Sequence, residues 1–561
     1  MTKSLQPNTQ EEERNEVLKN ILDAKEKKKI IVAGAGTGKT HTFKAILAAN
    51  SRPKNLSLTF IRILADDMKA SFSDLSETKT LHAYCRGVIP KIKRKVHIVP
   101  SLTKIIEKDA SFFGIKSYQF DEDFQLLKES SRGLKFYLAR GDYYQAVGFN
   151  DLVYRVYRAM KDKPDTIADF NQILIDEFQD FNKLEVEFIN ELEKRGSILI
   201  VGDDDQAVYD KRSASPDYLR QKYNSGLYKT FTLPFCSRCT QVVVDATNSF
   251  IKNAVLNGYL KDRLTKRFEC YIEGKKEDNE RFPHIIHASV ADTSAISEYI
   301  KGVIKKADKS DISHSWKKGS EYPTVLVIGP RDYLSAIAEN LRKKYPQTIY
   351  KVSVESPFTI AEAYEALLKN RKSNIGWRIL IHLYMRDANV KRIINQTKKR
   401  KQLLTLLPAN FVKKHNRVLD VIKTLKKKEP VSLKTKREIK KIATNNSRAI
   451  IDFLVNRNKR SASNSTPDTS KPSILLSTFA GCKGLSAAYV LIVGANEGDM
   501  PQDKTRIRDV EISRFIVAMT RTRKQCHIIS NKSFRKSKNK KVAKTKSIFL
   551  DWISSHLIES R

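Results

Sequence analysis

The sequence predicts an α/β fold with two parallel sheets, each interrupted by a mainly helical insertion. Short β-branched runs alternate with amphipathic stretches, which is the pattern of strand–helix–strand units. These runs fall into two sets, at residues 28–203 and 323–530, and each set is divided by a long stretch of different character. Two sheets with flanking helices accommodate this layout better than one large sheet does.

Each predicted strand is a short apolar run. The first set comprises KKIIVAG (28–34), LSLTF (56–60), QILIDE (172–177) and SILIVGD (197–203). The second set comprises PTVLVIG (323–329), SILLSTF (473–479), AYVLIVGA (488–495) and CHIIS (526–530). Residues 86–149, mostly helical in pattern, divide the first set, and residues 356–470 divide the second. The Ser/Asn/Pro content of residues 461–472 is typical of a flexible linker.

Composition limits the class of protein. A length of 561 residues suggests about three or four domains. A hydrophobic share of 40% with 17 Pro and 21 Gly excludes a wholly disordered or collagen-like chain. The formal net charge of +40 favours a polyanionic partner, nucleic acid first, and a generally basic composition with solvated surfaces is the alternative. Residues 386–460 alone, with 23 Lys/Arg against 5 Asp/Glu, carry a net charge of +18.

Cysteine content and hydropathy predict a cytoplasmic protein. Six Cys are too sparse for a disulfide framework in a chain of this length. No apolar run is long enough for a transmembrane helix, and the first twenty residues lack the apolar core of a signal peptide. The spacing Cys236-x-x-Cys239 allows a zinc site, but no second Cys/His pair follows at a finger-like distance.

The segment GAGTGKT at residues 34–40 predicts a phosphate-binding loop. It contains the G-K-[ST] end of the spacing G-x-x-x-x-G-K-[ST], although three rather than four residues separate Gly34 from Gly38, and it stands between a β-branched run and an amphipathic stretch. Glycines let backbone N–H groups surround phosphates, and the following helix N-terminus favours negative charge. Lys39 is expected to neutralise the β- and γ-phosphates of ATP, and the Thr40 hydroxyl to ligate Mg²⁺. The residues predicted to bind ATP here are Gly34, Ala35, Gly36, Thr37, Gly38, Lys39, Thr40 and His41.

Two further strand ends carry the polar groups that ATP hydrolysis requires. Asp176 ends a buried run, where it is expected to hold Mg²⁺, and Glu177 beside it is expected to accept a proton from the attacking water. A charged strand end without catalytic function is the alternative. Gln206, in VGDDDQAVY (201–209), is a two-way hydrogen-bonding group suited to sensing the γ-phosphate, and a polar turn is its alternative.

An ordered set of motifs resembles the superfamily 1A helicases of the UvrD/Rep/PcrA type. Besides GAGTGKT, DEFQD and GDDDQ, they are LSLTFIRILADDM (56–68), TLHAYC (80–85), LPFCSRCTQVVVDATN (233–248), STFAGCKGLSAAYVLIVGANEGDMP (477–501) and VEISRFIVAMTRTR (510–523). The resemblance implies two RecA-like P-loop lobes. The first comprises residues 1–85 and 150–232 with insertion 86–149, and the second comprises 233–355 and 471–531 with basic insertion 356–470. Residues 532–561 are expected to form a basic C-terminal tail.

The resemblance also implies roles for individual residues. Arg238 and Arg521 are expected to reach the γ-phosphate as arginine fingers, and Gly484 to approach the nucleotide together with Lys483. Gln10 is expected to bind adenine, although an alternative register assigns this role to Glu12 or Glu13. The residues expected to face DNA are Phe60, Thr80, His82, Tyr209, Lys211 and Thr478, with Lys426, Lys427 and Lys428 of the basic insertion. Aromatic faces stack on any base, but core packing is the alternative for Phe60 and Tyr209.

Four positions depart from the family pattern. Lys211 replaces an aromatic two residues after Tyr209, Ser237 replaces the tyrosine that packs near adenine, and Ala480 and Ser486 replace the usual His and Glu. The sequence therefore favours ATP hydrolysis more strongly than processive strand separation.

The predicted function is that of an ATP-dependent, Mg²⁺-requiring DNA helicase that moves 3′→5′ on single-stranded and forked DNA, a polarity that only the resemblance implies. A DNA-stimulated ATPase or sensor subunit that partners a separate nuclease, as in a phage-defence complex, is the first alternative. A non-catalytic nucleic-acid-binding scaffold is the second. The intact set of ATP-site residues argues against the scaffold.

Overall fold

The computed structural model describes residues 9–49, 54–60, 62–72, 74–93, 96–115, 118–316, 322–350, 360–399, 401–426, 468–537 and 540–560. The chain divides into two compact units. The sheet unit comprises Met1–Leu81, Ala168–Ser353 and Pro467–Arg561, and the helical unit comprises His82–Ile167 and Val354–Thr466. Within the described residues, no helix has the length and apolar character needed to cross a membrane.

The strands in chain order are β1 (Lys28–Ala33), β2 (Asn55–Thr59), β3 (Glu77–Thr80), β4 (His97–Ile98), β5 (Ala146–Val147), β6 (Gln172–Ile175), β7 (Ser197–Gly202), β8 (Lys229–Leu233), β9 (Phe235–Cys236), β10 (Glu269–Cys270), β11 (Ile285–Val290), β12 (Val325–Ile328), β13 (Ile349–Tyr350), β14 (Ile474–Ser477), β15 (Ala487–Val493), β16 (Thr522–Asn531), β17 (Ser533–Ser537), β18 (Lys540–Ala543) and β19 (Leu557–Glu559).

The helices in chain order are α1 (Gln10–Asp23), α2 (Lys39–Ala49), α3 (Arg62–Phe72), α4 (Leu81–Ile92), α5 (Leu102–Phe112), α6 (Phe120–Gln125), α7 (Arg132–Tyr144), α8 (Phe149–Asp162), α9 (Lys183–Leu192), α10 (Asp217–Asn224), α11 (Gln241–Leu256), α12 (Lys276–Arg281), α13 (Thr293–Lys305), α14 (Lys309–Trp316), α15 (Arg331–Arg342), α16 (Ile360–Lys369), α17 (Asn374–Tyr384), α18 (Asp387–Gln396), α19 (Ala409–Lys426), α20 (Asp509–Met519) and α21 (Ile548–Asp551).

The first sheet of the sheet unit is parallel, with the order β3-β2-β6-β7-β1-β8. Its central strands are apolar because helices cover both faces of such a sheet. All four residues of β6 are buried, for example. The carboxyl ends of parallel strands meet at one edge of the sheet, where ligands bind in open α/β folds. The segments after β1, β6 and β7 therefore converge at that edge.

The second sheet of the sheet unit is also parallel, with the order β13-β14-β12-β15-β16-β11-β19. Every residue of its central strand β15 is buried, as a strand covered on both faces requires. The predicted fold class is confirmed, because two parallel sheets form where the two sets of apolar runs stand. In both sheets a chain insertion separates strands that lie side by side.

The prediction that residues 532–561 form a basic tail is wrong. Strands β17 and β18 pair as an antiparallel hairpin, and β19 is the edge strand beside β11. Phe549 and Trp552 pack against Phe250 in the core under the second sheet. The lysines that suggest a tail lie before a short apolar segment, and burial of that segment fixes the chain end to the sheet.

The helical unit contains α4 except its first residue Leu81, the helices α5 to α8, and the helices α16 to α19. The predicted boundary of the first insertion at residue 149 is corrected, because this unit extends to Ile167 and includes α8. Leu152, Val153 and Val156 of α8 are buried, and the ring of Tyr154 lies 5.6 Å from that of Phe124 on α6. The apolar face of α8 therefore belongs to the helical core rather than to the first sheet.

A buried ionic centre joins the two chain segments of the helical unit. Asp109 of α5, fully buried, accepts hydrogen bonds from Nε of Arg140 on α7 at 3.0 Å and from Nε of Arg378 on α17 at 2.9 Å. The Tyr144 hydroxyl donates to the same carboxylate at 2.5 Å. Both arginines are also buried, and the negative charge of the carboxylate offsets the free-energy cost of removing their positive charges from water.

Candidate active site

The loop between β1 and α2 has the conformation of a phosphate-binding loop. Gly36 and Gly38 have φ angles of +70° and +90°, a region that favours glycine. A Cβ on Gly36 would also lie 2.5 Å from Cβ of Arg238, so this position excludes any side chain. The Thr37 hydroxyl donates to the carbonyl of Gly34 at 3.0 Å, which closes the loop on itself.

Five other loop residues frame this turn. Gly34 and Ala35 are buried, and a Cβ on Gly34 would lie 2.7 Å from the ring of Phe268. Lys39, Thr40 and His41 begin α2, and the side chains of Thr40 and His41 are exposed. The helix N-terminus therefore points its first N–H groups toward the loop, the arrangement that binds phosphate.

Lys39 forms an ion pair with the residue predicted to be the general base. Its Nζ lies 3.0 Å from Oε1 of Glu177, which follows β6. Burial lowers the pKa of Lys39, but Glu177, Asp176 and Asp203 more than offset this, so the pKa is raised. Lys39 is therefore fully charged at neutral pH and lies among the carboxylates at the edge of the first sheet.

Asp176 and Glu177 respond in opposite ways to the same surroundings. Burial, followed by the charge of Glu177, raises the pKa of Asp176 to about 6. Burial also opposes ionisation of Glu177, but Lys39 and Lys483 prevail and lower its pKa below the usual range. Glu177 is therefore an anion at neutral pH, as a proton acceptor must be. It has a φ of +54°, and Gln179 donates to its Oε2 at 2.6 Å.

Lys483 connects the second sheet to this carboxylate group, and the sequence predictions did not include it among the catalytic residues. Its Nζ lies 2.6 Å from Oδ2 of Asp180 and 3.3 Å from Oε2 of Glu177, and it donates to the carbonyl of Gln206 at 2.7 Å. The side chain is 1% exposed. Its position before Gly484, which has a φ of +80°, was the available sequence signal.

Gln206 and Arg521 contact each other. Nη2 of Arg521 donates to Oε1 of Gln206 at 3.1 Å, and Nε2 of Gln206 donates to Asp203. Burial, followed by the charge of Arg238, lowers the pKa of Arg521 to about 10. The guanidinium is thus charged but incompletely neutralised by its protein neighbours, so an anion arriving beside it is stabilised.

Arg238 lies directly against the phosphate-binding loop. The backbone N–H of Ser237 donates to the carbonyl of Gly36 at 2.9 Å, which fixes the β9–α11 segment to the loop. Nη1 of Arg238 donates to the carbonyl of Thr520, the residue before Arg521, at 3.3 Å. The structure therefore brings together Lys39, Glu177 and both predicted arginine fingers.

The acids before Gln206 have their own cation. Nζ of Lys266 lies 2.8 Å from Asp203 and 3.3 Å from Asp204, and it also contacts Asp205. Arg263 pairs with Asp205 at 2.7 Å. Oxygen atoms of the three acids lie within 4.8 Å of one another, and the ammonium group of Lys266 contacts all three acids. This long-range pairing leaves no spacing signal in the sequence.

The amide of Gln10 is bonded to backbone. Its Nε2 donates to the carbonyl of Cys270 at 3.1 Å, and its Oε1 accepts from the N–H of Ile272 at 2.9 Å. Glu12 caps α1 by accepting from the N–H of Thr9, and Glu13 pairs with Arg267. A cavity of about 220 Å³ beside the phosphate-binding loop is lined by residues that include Glu11, Arg14, Thr37, His41 and Phe235. Its place at the loop suits the base and sugar of a nucleotide.

Two of the residues expected to face DNA belong to an aromatic cluster in the sheet unit. The ring centroid of Phe60 lies 5.1 Å from that of Tyr209 and 6.0 Å from that of Phe181, and the guanidinium of Arg212 lies 4.5 Å above Phe60. The Tyr209 hydroxyl donates to the carbonyl of Ala480 at 3.2 Å. Both Phe60 and Tyr209 are half-buried, so each packs on protein and still presents surface.

The other DNA-facing candidates are dispersed. Lys211 is exposed, Thr478 is half-buried and accepts from the N–H of Gly481 at 3.1 Å, and Thr80 ends β3. In the helical unit, His82 stacks on Phe149 with ring centroids 3.7 Å apart, and Phe149 is 47% exposed. Lys426 is the last residue of α19, and Lys427 and Lys428 lie outside the described residues.

Comparisons with known proteins find UvrD/Rep helicases among the proteins to which this chain is similar. The family model for the UvrD/REP helicase N-terminal domain matches residues 119–225. DNA helicase II of Haemophilus influenzae is 28% identical over 267 residues, which are 45% of this chain and 34% of that protein. ATP-dependent DNA helicase Rep of Buchnera aphidicola is 25% identical over 437 residues, 66% of this chain and 62% of that protein. The chain resembles the UvrD/Rep helicases of superfamily 1A.

The UvrD/Rep-like chain matches about a third of the length of the Haemophilus protein and less than two thirds of the Buchnera protein. A shorter match joins it to one subunit of the ATP-dependent helicase/nuclease of Lactobacillus gasseri, with 43% identity over 58 residues, which are 10% of this chain and 5% of that protein.

Proposed function

We propose that this chain is an ATP-dependent DNA helicase that moves along single-stranded DNA with 3′→5′ polarity. The observation that carries the proposal is the set of charged side chains around the phosphate-binding loop. Lys39 and Glu177 come from the first sheet, whereas Lys483 and Arg521 come from the second, and all four lie within one contact network. Two lobes that share an ATP site convert nucleotide binding into relative movement.

The chain's own residues account for each part of ATP hydrolysis. Lys39 would bind the β- and γ-phosphates, and Arg238 and Arg521 would stabilise the charge that develops on the transferred phosphoryl group. Glu177, held as an anion, would orient the attacking water and accept its proton. Gln206 would change its hydrogen-bond partners when the γ-phosphate binds, and this change would move the segment that carries Tyr209.

A hydroxyl and a carboxylate, the oxygen ligands that Mg²⁺ prefers, lie at the same edge of the sheet. Thr40 is exposed in the first turn of α2, and Asp176 follows β6. These donors fit Mg²⁺. The ion would neutralise phosphate charge when bound. Because burial raises the pKa of Asp176 to about 6, the carboxylate is mostly ionised at neutral pH and available as a ligand.

Bound ATP would replace the present protein partners of Lys39 and Arg521. Lys39 pairs with Glu177, and Arg521 bonds to Gln206, so both cations are held by groups of the protein. A γ-phosphate competes for both cations and frees Glu177 and Gln206 for water and for the neighbouring segment. The presence or absence of the γ-phosphate would thereby change the position of the loop between Gln206 and Tyr209. Movement of this loop is the means by which hydrolysis would move DNA.

DNA binding is proposed from charge and stacking together. The net charge of +40 supplies attraction to phosphates. Phe60 and Tyr209 offer partly exposed rings, and stacking on such rings tolerates any base. Residues 426–428 remain a predicted phosphate-binding cluster in the basic insertion. Single-stranded and forked DNA are the proposed substrates.

A second candidate function is that of a DNA-stimulated ATPase that works with a separate nuclease. The observation that favours it is Lys211, exposed where the family pattern has an aromatic residue that stacks on a base. The Lactobacillus relative is named as part of a helicase/nuclease. On this alternative ATP would be hydrolysed on DNA without processive unwinding by the chain alone.

Strand displacement on duplexes with a 3′ or a 5′ tail separates the candidates. We expect the chain alone, with ATP and Mg²⁺, to displace the strand from the 3′-tailed duplex, and Lys39→Ala to displace neither. Displacement from the 5′-tailed duplex only would contradict the polarity. DNA-stimulated ATP hydrolysis without displacement would select the second candidate function instead.

A further inference from the structure

Two cysteines enclose Arg238 in the segment between β9 and α11. Cys236 ends β9, and Cys239 precedes Thr240, the N-cap of α11; both are fully buried. The backbone N–H of Cys239 donates to Sγ of Cys236 at 3.4 Å, and Sγ of Cys239 lies 3.5 Å from the carbonyl oxygen of Thr520. A C-x-x-C pair at the start of a helix is an arrangement in which one sulfur is activated.

The two thiols differ in their tendency to ionise. Burial opposes ionisation of Cys236, but hydrogen bonds from the Cys239 thiol and amide and the charge of Arg238 prevail, lowering its pKa to about 6. The hydrogen bond to Cys236, and then burial, raises the pKa of Cys239. One thiolate beside one protonated thiol is the state from which thiol–disulfide exchange starts.

The pair does not have the partners of a metal site. Within the described part of the chain, three or more metal-ligating atoms within 4.8 Å of one another occur at Asp203, Asp204 and Asp205, and no cysteine belongs to that group. Cys270, the nearest further cysteine, directs its sulfur to the carbonyl of Cys239 rather than to its thiol. The zinc alternative for Cys236 and Cys239 therefore has no support among these residues.

The nucleotide cavity is the route to the pair. Phe235, the residue before Cys236, lines the cavity beside the phosphate-binding loop. Sγ of Cys236 lies 3.1 Å from the position that a Cβ on Gly36 would occupy, so the sulfur packs on the loop itself. We expect a reagent to reach it when the loop and the β9–α11 segment separate, and bound ATP, which would contact the loop and Arg238, to oppose that separation.

We propose that Cys236 and Cys239 are a redox-active dithiol that low-molecular-weight disulfides of the glutathione type oxidise, and that the resulting disulfide stops ATP hydrolysis. The Cys236 thiolate attacks one sulfur of the small disulfide, whose S–S bond breaks to release one thiolate. That thiolate takes the Cys239 proton, and Cys239 attacks Sγ of Cys236 to release the second small thiolate. Two protein thiols are oxidised, and one small disulfide is reduced to two thiols.

Disulfide formation displaces Arg238. An S–S bond of about 2.05 Å draws the two sulfurs together across the two residues between them, Ser237 and Arg238. It also moves Sγ of Cys239, which lies 3.5 Å from the carbonyl oxygen of Thr520, the same oxygen to which Arg238 donates. Misplacing a catalytic group by about 1 Å costs on the order of 10²-fold in rate. The loss of turnover rests on the proposed ATPase function, whereas formation of the bond does not.

The test uses the full chain, reduced and then incubated with glutathione disulfide. Alkylation and peptide mapping detect the Cys236–Cys239 bond, and single-stranded-DNA-dependent ATP turnover is measured before oxidation, after it and after dithiothreitol. We expect the bond to form, turnover to fall on the order of 10²-fold and to return on reduction. A non-hydrolysable ATP analogue is expected to slow bond formation.

Three variants make the result specific. Cys236→Ser is expected to keep its turnover in glutathione disulfide, and Cys239→Ser to accumulate a mixed disulfide at Cys236. Cys526→Ser, a matched change of a buried cysteine in β16, is expected to behave as wild type. If Cys236→Ser does not fold, the mixed disulfide trapped by Cys239→Ser tests the same chemistry.

Two results would overturn the proposal. They are the absence of the mapped bond after incubation, and a mapped bond with unchanged turnover. A reduced protein that does not hydrolyse ATP would contradict the proposed function instead, and peptide mapping would still decide whether the dithiol forms a disulfide.

Discussion

Replacing Lys483 by methionine is expected to destabilise the sheet unit and to abolish most ATP turnover. The side chain is 1% exposed and pairs with Asp180 at 2.6 Å and Glu177 at 3.3 Å. Methionine keeps the length and the apolar stem but leaves both carboxylates without this cation. Breaking a buried ion pair in this way costs about 3–5 kcal/mol.

The cost is expected to rise with pH. With Lys483 present, burial raises the pKa of Asp180 to about 7, and the positive charge of Lys483 keeps the pKa from rising further. Loss of Lys483 raises that pKa further, so the folded variant retains a proton that the unfolded chain has already released. Stability falls with pH wherever the folded state binds more protons, and each unit of added pKa shift contributes about 1.4 kcal/mol. The difference between variant and wild type therefore grows as the pH rises through 7.

Scanning calorimetry at about pH 6 and about pH 8.5 measures this difference as a change in Tm. ATP turnover with single-stranded DNA is measured on the same preparations. Turnover is expected to fall on the order of 10²-fold because Glu177 and the Gln206 segment lose their connection to the second sheet. Lys222→Met is the matched control. Lys222 is 13% exposed, and its Nζ lies 2.6 Å from Glu193. This ion pair is not part of the phosphate-binding loop.

The control variant is expected to lose stability but to keep its turnover. Full turnover in Lys483→Met would refute the assignment of this residue to the ATP site. A Tm difference that shrinks as pH rises would refute the electrostatic reasoning, even if turnover fell.

Three further outcomes are expected. Asp109→Asn should destabilise the helical unit by about 3–5 kcal/mol in calorimetry, because two buried arginines lose their anion, whereas the exposed-pair control Asp387→Asn should cost about 0–1 kcal/mol. His415→Phe should remove an acid-sensitive loss of stability, measured as Tm against pH. Burial, and then Lys414, lowers the pKa of His415 to about 4, so the wild type loses up to about 3 kcal/mol as pH falls from 6.5 to 4. Phe60→Ala should weaken single-stranded-DNA binding by about 1–3 kcal/mol in fluorescence anisotropy with an unchanged salt slope.

Each of these predictions has a contradicting outcome. Equal losses of stability in Asp109→Asn and Asp387→Asn would show that the buried ionic centre contributes no more than an exposed ion pair. An acid limb of the Tm curve that persists in His415→Phe would assign the loss to other groups. A reduced salt slope in Phe60→Ala would show that the change acts on phosphate contacts rather than on stacking.

Local pattern was sufficient for the fold class, and it also predicted those residues of the proposed ATP site that lie next to strands. Lys39 follows β1, Asp176 and Glu177 follow β6, and Gln206 follows β7. The carboxyl ends of parallel strands meet at one edge. The position of each residue directly after a strand therefore also predicts that these residues lie close together.

The contributions of the second sheet were harder to predict. Lys483 contacts Glu177 from about 300 positions along the chain, and no spacing rule expresses such a pair. Lys266 pairs with Asp203 in a similar way, and the sequence pattern around the three consecutive acids does not indicate this contact. Lys266 has no distinguishing neighbours in the sequence, whereas Lys483 has one in Gly484, which follows it directly.

The C-terminal segment shows the opposite difficulty. Its lysines dominate the composition of residues 532–546, and composition predicted a tail. The buried rings of Phe549 and Trp552 follow at once, and β19 completes the second sheet. A few apolar residues outweigh many exposed charges because burial stabilises, whereas exposed lysines contribute little to the choice of fold.

ATP hydrolysis by the full chain with and without single-stranded DNA, measured for the wild type and Lys39→Ala, tests the central claim most directly. The proposed site predicts that DNA stimulates turnover by the wild type and that Lys39→Ala has no DNA-dependent turnover at all. DNA-stimulated turnover that survives at the wild-type rate in Lys39→Ala would contradict the assignment of the phosphate-binding loop.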